Sequence, residues 1–363
     1  MKKNDKKISE YSKWFEREEK VLQKRTLKKI PQSILPVLNL PIINDSSFYD
    51  TLSSCFVKYG YKGINLPLTS LIRNEINSSV WKRFPVYSAH GTSIKESLKS
   101  HKPYVFFLKQ DLAFLEIEDP LKQWLINYDC YAGHLSKLNI QENFQLTQQE
   151  NIIQICEELD LKINKEAWKV LIDKILDDLA EVYATTNRSI CIEIPGSKGW
   201  SMFPQITSDV LDYLILKMKT TLPNATLCLD IGHVLTWTKD STEIKKVNDI
   251  LKKHSSYFSM LHISSAGAWS KEFHDLYTEV YAEAPLWHIT GLDLMLSVCE
   301  LEMLDLLASI RHILKDKNII EVSENRLRSV AIKDYFPQVN TDLIDDKLFF
   351  DDLLKQANMI GYV

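Results

Sequence analysis

Eight short apolar runs recur along this chain, most of them separated by stretches long enough for a helix. They are Ile34–Leu40, Gly63–Leu66, Pro85–His90, Tyr128–His134, Ser189–Ile194, Ala225–Asp230, Met260–Ile263 and Asn318–Val322. A hairpin needs only a few residues between its strands, whereas parallel neighbours need a crossover of a dozen or more. The spacing therefore favours parallel strands with helical crossovers. The stretch Trp168–Tyr183 shows the helical half of the pattern, since Val170, Leu171, Ile175, Leu179 and Val182 fall on one face at helical spacing. Eight such units predict an α/β fold of the (β/α)8 barrel type, with a doubly wound open sheet as the alternative. The fourth strand has a rival in Tyr104–Leu108.

Residues 31–332 are read as the barrel, preceded by a helical leader over 1–30 and followed by a helical extension over 333–363. The leader is basic, with 11 Lys/Arg against 5 Asp/Glu in its first 29 residues, and Ser12 to Lys28 reads as a solvated helix. The formal net charge is −4, so the body carries −10 and suits a nucleic acid backbone poorly. The extension ends in an acidic amphipathic helix that caps the barrel or meets a partner. Six cysteines without a CxxC pair argue against a zinc ribbon or a disulfide scaffold. With no signal peptide and no apolar run long enough to span a membrane, a cytoplasmic location is expected.

Barrels of this type carry their chemistry at the C-terminal strand ends. Those ends hold His90, His134, Glu193, Asp230 with His233 three residues on, His262 and Glu321, and His288 follows in PLWHITG. Imidazole and carboxylate are what Zn, Mn or Fe accepts. Three carboxylates at one mouth would repel unless protons or cations intervened, so two or three metal ions are expected, bridged by a carboxylate such as Glu193. His274 and Asp275 are weaker candidates. His101, His254 and His312 are read as structural, and Glu324 as a helix N-terminal carboxylate.

These motifs resemble the xylose-isomerase-like metal-dependent barrels over Ile34 to about Arg328. Glu193, Asp230, His233, His262, His288 and Glu321 fit the second half of the endonuclease IV pattern, although Leu286 stands where an Asp is expected. The first half is more similar to the multinuclear non-haem iron-dependent oxidative enzymes. His90-Gly91 and His134-Leu135 match that family's motifs, and Glu193-Ile194-Pro195-Gly196-Ser197 echoes its Glu-Asn-Pro-Ser segment. Ile194, Gly232-His233 and Ser323 depart from it.

The second resemblance implies an oxidoreductase holding two or three metal ions, iron foremost with Zn or Mn as alternatives, and using O2 to modify a peptide cysteine or a small thiol. It also implies a peptide-recognising partner protein. The competing readings are a Zn- or Mn-dependent sugar isomerase, lyase or AP-endonuclease-like hydrolase, and a barrel that has lost catalysis and serves as a binding module. Trp200, Phe203, Trp237, Trp269 and Trp287 follow strand ends and could line an aromatic pocket. Residues 264–283 could form a lid or docking surface.

Overall fold

The computed structural model describes residues 29–41, 46–67, 78–90, 125–127, 189–194, 208–232, 241–263, 301–323 and 346–363, with residues 27, 169, 172, 173, 176, 177, 179, 180, 184 and 234. Its strands are β1 (Ile34–Asn39), β2 (Gly63–Pro67), β3 (Val86–His90), β4 (Leu125–Asn127), β5 (Ser189–Ile194), β6 (Thr226–Asp230), β7 (Phe258–Ile263) and β8 (Ile319–Ser323). All are parallel. Each pairs with the next, and β8 returns to β1, so the sheet is a closed barrel.

Seven strands lie where the sequence pattern puts them, to within two residues. The fourth does not. Leu125–Asn127 pairs with β3 on one side and β5 on the other, and it falls between the two expected runs. Leu125 and Ile126 supply the short apolar step, whereas Tyr128–His134 mixes aromatic, acidic and glycine residues. Among the described residues the fourth strand is β4 at 125–127, and the expected runs 104–108 and 128–134 lie outside those residues.

The helices with defined bounds are α1 (Ser46–Cys55), α2 (Ser78–Trp81), α3 (Ser208–Thr221), α4 (Ser241–Lys253), α5 (Leu301–Leu314) and α6 (Asp346–Ile360), and described residues between 169 and 180 and at 231, 232 and 234 are helical as well. In α3, Val210, Leu211, Leu214, Ile215 and Met218 make one buried face, and the Ser208 amide at its start donates to Glu243 Oε1 at 2.7 Å. Ile172, Leu176 and Leu179, from the stretch expected to be helical, are also buried.

The C-terminal helix is part of the main core: Leu353, Ala357, Met359 and Ile360 join it, and Phe350 stacks on Phe48 of α1. The Leu27 amide donates to the Met359 carbonyl at 2.9 Å, which fastens the chain's entry to that helix. Residues 1–26 and 28 of the basic leader lie outside the described residues, as do the candidate lid segment 264–283 and the five candidate pocket aromatics. Among the described residues no helix is long and apolar enough to cross a membrane.

The core has two compartments. Ile34, Leu38, Ile64, Leu66, Ile192, Leu227 and Leu229 face the helices, while Val37, Cys191, Cys228, Met260 and Val322 fill the lumen. Tyr87, at a register shift in β3, packs against the lumen cluster over Gly63. A Cβ on Gly63 would sit 1.9 Å from the Tyr87 ring and 2.6 Å from the Pro85 carbonyl. Gly63→Ala is therefore expected to cost about 1–3 kcal/mol through overpacking, read as a lowered denaturant midpoint at unchanged slope.

Below the barrel, buried His254 lies between Asp212 and Lys219. Its Nε2 is 2.9 Å from Asp212 Oδ1 and its Nδ1 is 3.0 Å from Lys219 Nζ. This agrees with a structural role for His254. Burial pushes the Asp212 carboxyl up, but hydrogen bonds from His254 and Lys253 outweigh it and hold the carboxyl below its ordinary value. A depressed carboxyl contributes stability above its unfolded pKa and loses it as pH falls through the folded pKa. Asp212→Ala is expected to cost about 1–3 kcal/mol near neutral pH. The gap from wild type in urea unfolding should narrow as the solution is acidified through the carboxylate range.

Candidate metal centre

Alternation along β5, β6 and β7 builds the site. Cys191, Cys228 and Met260 fill the lumen, so the residues two positions further along each strand, Glu193, Asp230 and His262, face it too. Asp230 and His262 are register partners. One ligand atom from each of the three side chains falls within 4.8 Å of the others, and Glu193, Asp230 and His262 are 2%, 0% and 0% exposed. His262 Nδ1 lies 3.4 Å from Glu193 Oε1, without hydrogen-bond geometry.

His90, the last residue of β3, places Nε2 3.9 Å from Glu193 Oε2, and its ring lies parallel to that of His262 with centroids 6.0 Å apart. It is more open to solvent than the other three, with a side-chain exposure of 22%.

Two carboxylates this close and this buried disfavour one another's ionisation. Their field reaches the layer beneath. The Cys228 thiol is pushed well above its ordinary value, by burial first, then by Cys191, Glu193 and Asp230. The donor set itself, two carboxylates and an imidazole, fits a divalent ion such as Zn, Mn or Fe(II), in a site that retains open positions. Such an ion would place positive charge between the two carboxylates.

Glu321 is not brought to this site. Ile320 and Val322 face the lumen, so Glu321 faces the helices, against the expectation that it joins the other carboxylates at the mouth. There Arg311 of α5 grips it through two nitrogens, with Nε 2.8 Å from Oε2 and Nη2 on Oε1, and the Tyr362 hydroxyl donates to Oε1 at 2.7 Å. Burial pulls the Arg311 guanidinium down, but the Glu321 charge more than restores it. The Tyr362 phenol is pushed well above its ordinary value by burial and by the same carboxylate. Ser323 lies on this outer side as well, its hydroxyl 3.5 Å from that of Tyr362. Its departure from the iron-family motif therefore falls outside the lumen.

Of the eight expected ligands, Glu193, Asp230 and His262 gather, His90 stands beside them and Glu321 is turned away. His134, His233 and His288 lie outside the described residues, as do His101, His274, Asp275 and Glu324. One polar feature escaped the sequence reading. Asn39, Asn65 and Ser88 form a hydrogen-bonded row across β1, β2 and β3, signalled only by asparagines inside the apolar runs ILPVLN and GINLP.

No family model matches the sequence, and no curated protein matches it. Solved structures do. D-allulose 3-epimerase from Methylomonas sp., solved with D-allulose, aligns at 12% identity and a TM-score of 0.50, over 92% of this chain and 97% of the other. An AP endonuclease of family 2 from Brucella melitensis aligns at 10% identity and a TM-score of 0.45, over 81% and 93%. The likeness is one of fold.

Because Glu321 serves the helix packing, Glu321→Gln should separate stability from metal binding. Leaving the buried Arg311 charge uncompensated is expected to cost about 3–5 kcal/mol. Metal content per folded chain, measured by elemental analysis, should stay at the wild-type value.

Proposed function

We propose that this chain is a divalent-metal-dependent (β/α)8 barrel enzyme of the xylose-isomerase-like kind, acting on a small polyhydroxylated carbonyl compound by isomerisation or epimerisation. The observation that carries the reading is the buried convergence of Glu193, Asp230 and His262 on adjacent strands. The fold likeness to a sugar epimerase adds to it, and the acidic body disfavours a phosphodiester backbone as substrate.

Glu193, Asp230 and His262 would hold the ion, with His90 beside them at the more open edge. The bound metal would act as a Lewis acid that polarises a substrate oxygen. The chain's own contribution is a buried, carboxylate-rich pocket above an apolar floor of Cys191, Cys228 and Met260. His90 is placed to take or give a proton at Nε2, next to Glu193 and partly open to solvent.

The oxidative alternative, with iron and O2 acting on a peptide cysteine, rests on the motifs around His90 and His134 and draws nothing further from this geometry. The two readings part on metal identity and oxygen dependence. Protein purified without added metal should carry stoichiometric Mn or Zn by elemental analysis. Glu193→Gln and His262→Ala should each weaken metal binding by more than the roughly 10–100-fold that a supporting residue costs. Ketose–epimer exchange, followed by NMR, should run equally well without oxygen. Iron together with O2 uptake would favour the oxidase, and absence of metal would leave a binding module.

A further inference from the structure

The lumen has a second polar wall, opposite in character to the first. Val37 faces inward, so Asn39, two residues on, does as well. Asn39 pairs in register with Asn65, and Asn65 with Ser88, so the three side chains make one lateral row across β1, β2 and β3. Asn65 and Ser88 are fully buried and Asn39 is half-buried.

The row has a direction. The Ser88 hydroxyl donates to Asn65 Oδ1 at 2.6 Å, which turns the Asn65 amide nitrogen toward Asn39, where it donates to Oδ1 at 3.2 Å. With its Oδ1 engaged, Asn39 has its amide nitrogen left over, and among the described residues that nitrogen has no acceptor. Burying the Asn65 amide and the Ser88 hydroxyl above the apolar lumen floor has a cost unless the polarity is used.

Register places this donor relative to the metal centre. His262 is level with Val322, and Val322 with Val37, so Asn39 stands one inward position nearer the mouth than His262. On the other flank, Ser88 stands one inward position below His90, the residue beside Glu193. The row therefore runs round the barrel from the His90 side of the candidate metal centre to the β1 side of the mouth.

From this we propose that Asn39 is a substrate-positioning residue whose amide N–H groups, oriented by Asn65 and Ser88, donate to a neutral oxygen of the substrate, a hydroxyl or a carbonyl. An amide donor facing a carboxylate-held cation selects a compound with one oxygen for the metal and another for the far wall, as in a polyol or ketose. This inference rests on the metal-dependent reading above.

The test uses the full chain loaded with Mn, with D-allulose, D-fructose and D-xylose as probes in calorimetry and metal content measured on the same samples. Wild type should bind at least one of the sugars only when Mn is present. Asn39→Ala should hold Mn as wild type does while its sugar affinity falls about tenfold or more. Ser88→Ala, which removes the anchor of the row, should shift affinity the same way by less, and serves if Asn39→Ala does not fold. Normal Mn content with unchanged sugar affinity in both variants would overturn the role of Asn39 and leave the metal reading standing. The same holds if Mn-loaded wild type binds none of the three sugars. Failure of wild type to take up Mn would overturn both.

Discussion

In a closed parallel barrel every strand has one face in the lumen and the other against the helices, and no edge through which a misplaced group can escape. A side chain's chemistry is then settled by parity. Glu193 and Glu321 show this directly. Both end runs of β-branched and apolar residues, yet Glu193 shares the lumen face of Cys191, and Glu321 shares the outer face of Ile319. One meets a second carboxylate and an imidazole; the other meets a guanidinium and a phenol.

The two sites also differ in how their charge is balanced. Glu321 is balanced within the protein, since Arg311 supplies a full positive charge in bidentate geometry, and Tyr362 adds a third hydrogen bond at Oε1 from the C-terminal end of the chain. That arrangement ties β8, α5 and α6 together. The same Arg311 reaches the Ile360 carbonyl, so the final residues of α6 are held by the side chain that neutralises Glu321. Glu193 and Asp230 lie above thiols and a thioether, and Glu193 stands beside the imidazoles of His262 and His90. Two acid side chains and a histidine nitrogen within 4.8 Å of one another are a donor set that could hold a cation.

Much of this was legible in the sequence because the physical signal was local. The runs SICIEI and ATLCLD alternate cleanly and carry a carboxylate at or next to their ends, so strand limits and lumen parity follow from a few residues. For β8 the local signal was the same, but reading Glu321 as a lumen residue required ignoring that Ile320 and Val322 already occupy that face. The fourth strand was illegible for another reason. Three residues, Leu125–Asn127, are too short a run to stand out, and they are strand because β3 and β5 hydrogen-bond to them from both sides. The Asn39–Asn65–Ser88 row was hidden because its members are far apart in sequence and meet only through the register of three strands.

The lumen is thus layered by polarity as well as by height. Its lower part is apolar and sulfur-rich, with Tyr87 lying over Gly63 where any side chain would collide. Its upper part divides by strand, into an acidic wall on β5–β7 and a neutral hydrogen-bonding wall on β1–β3. A merely structural lumen has no need of that division, because apolar side chains of similar volume would fill both walls with no desolvation cost. Charge on one side and oriented amide on the other suit a guest that is held at two points of different character. The floor then fixes how deep it can go, and the closed ring of strands keeps the two walls at a constant separation.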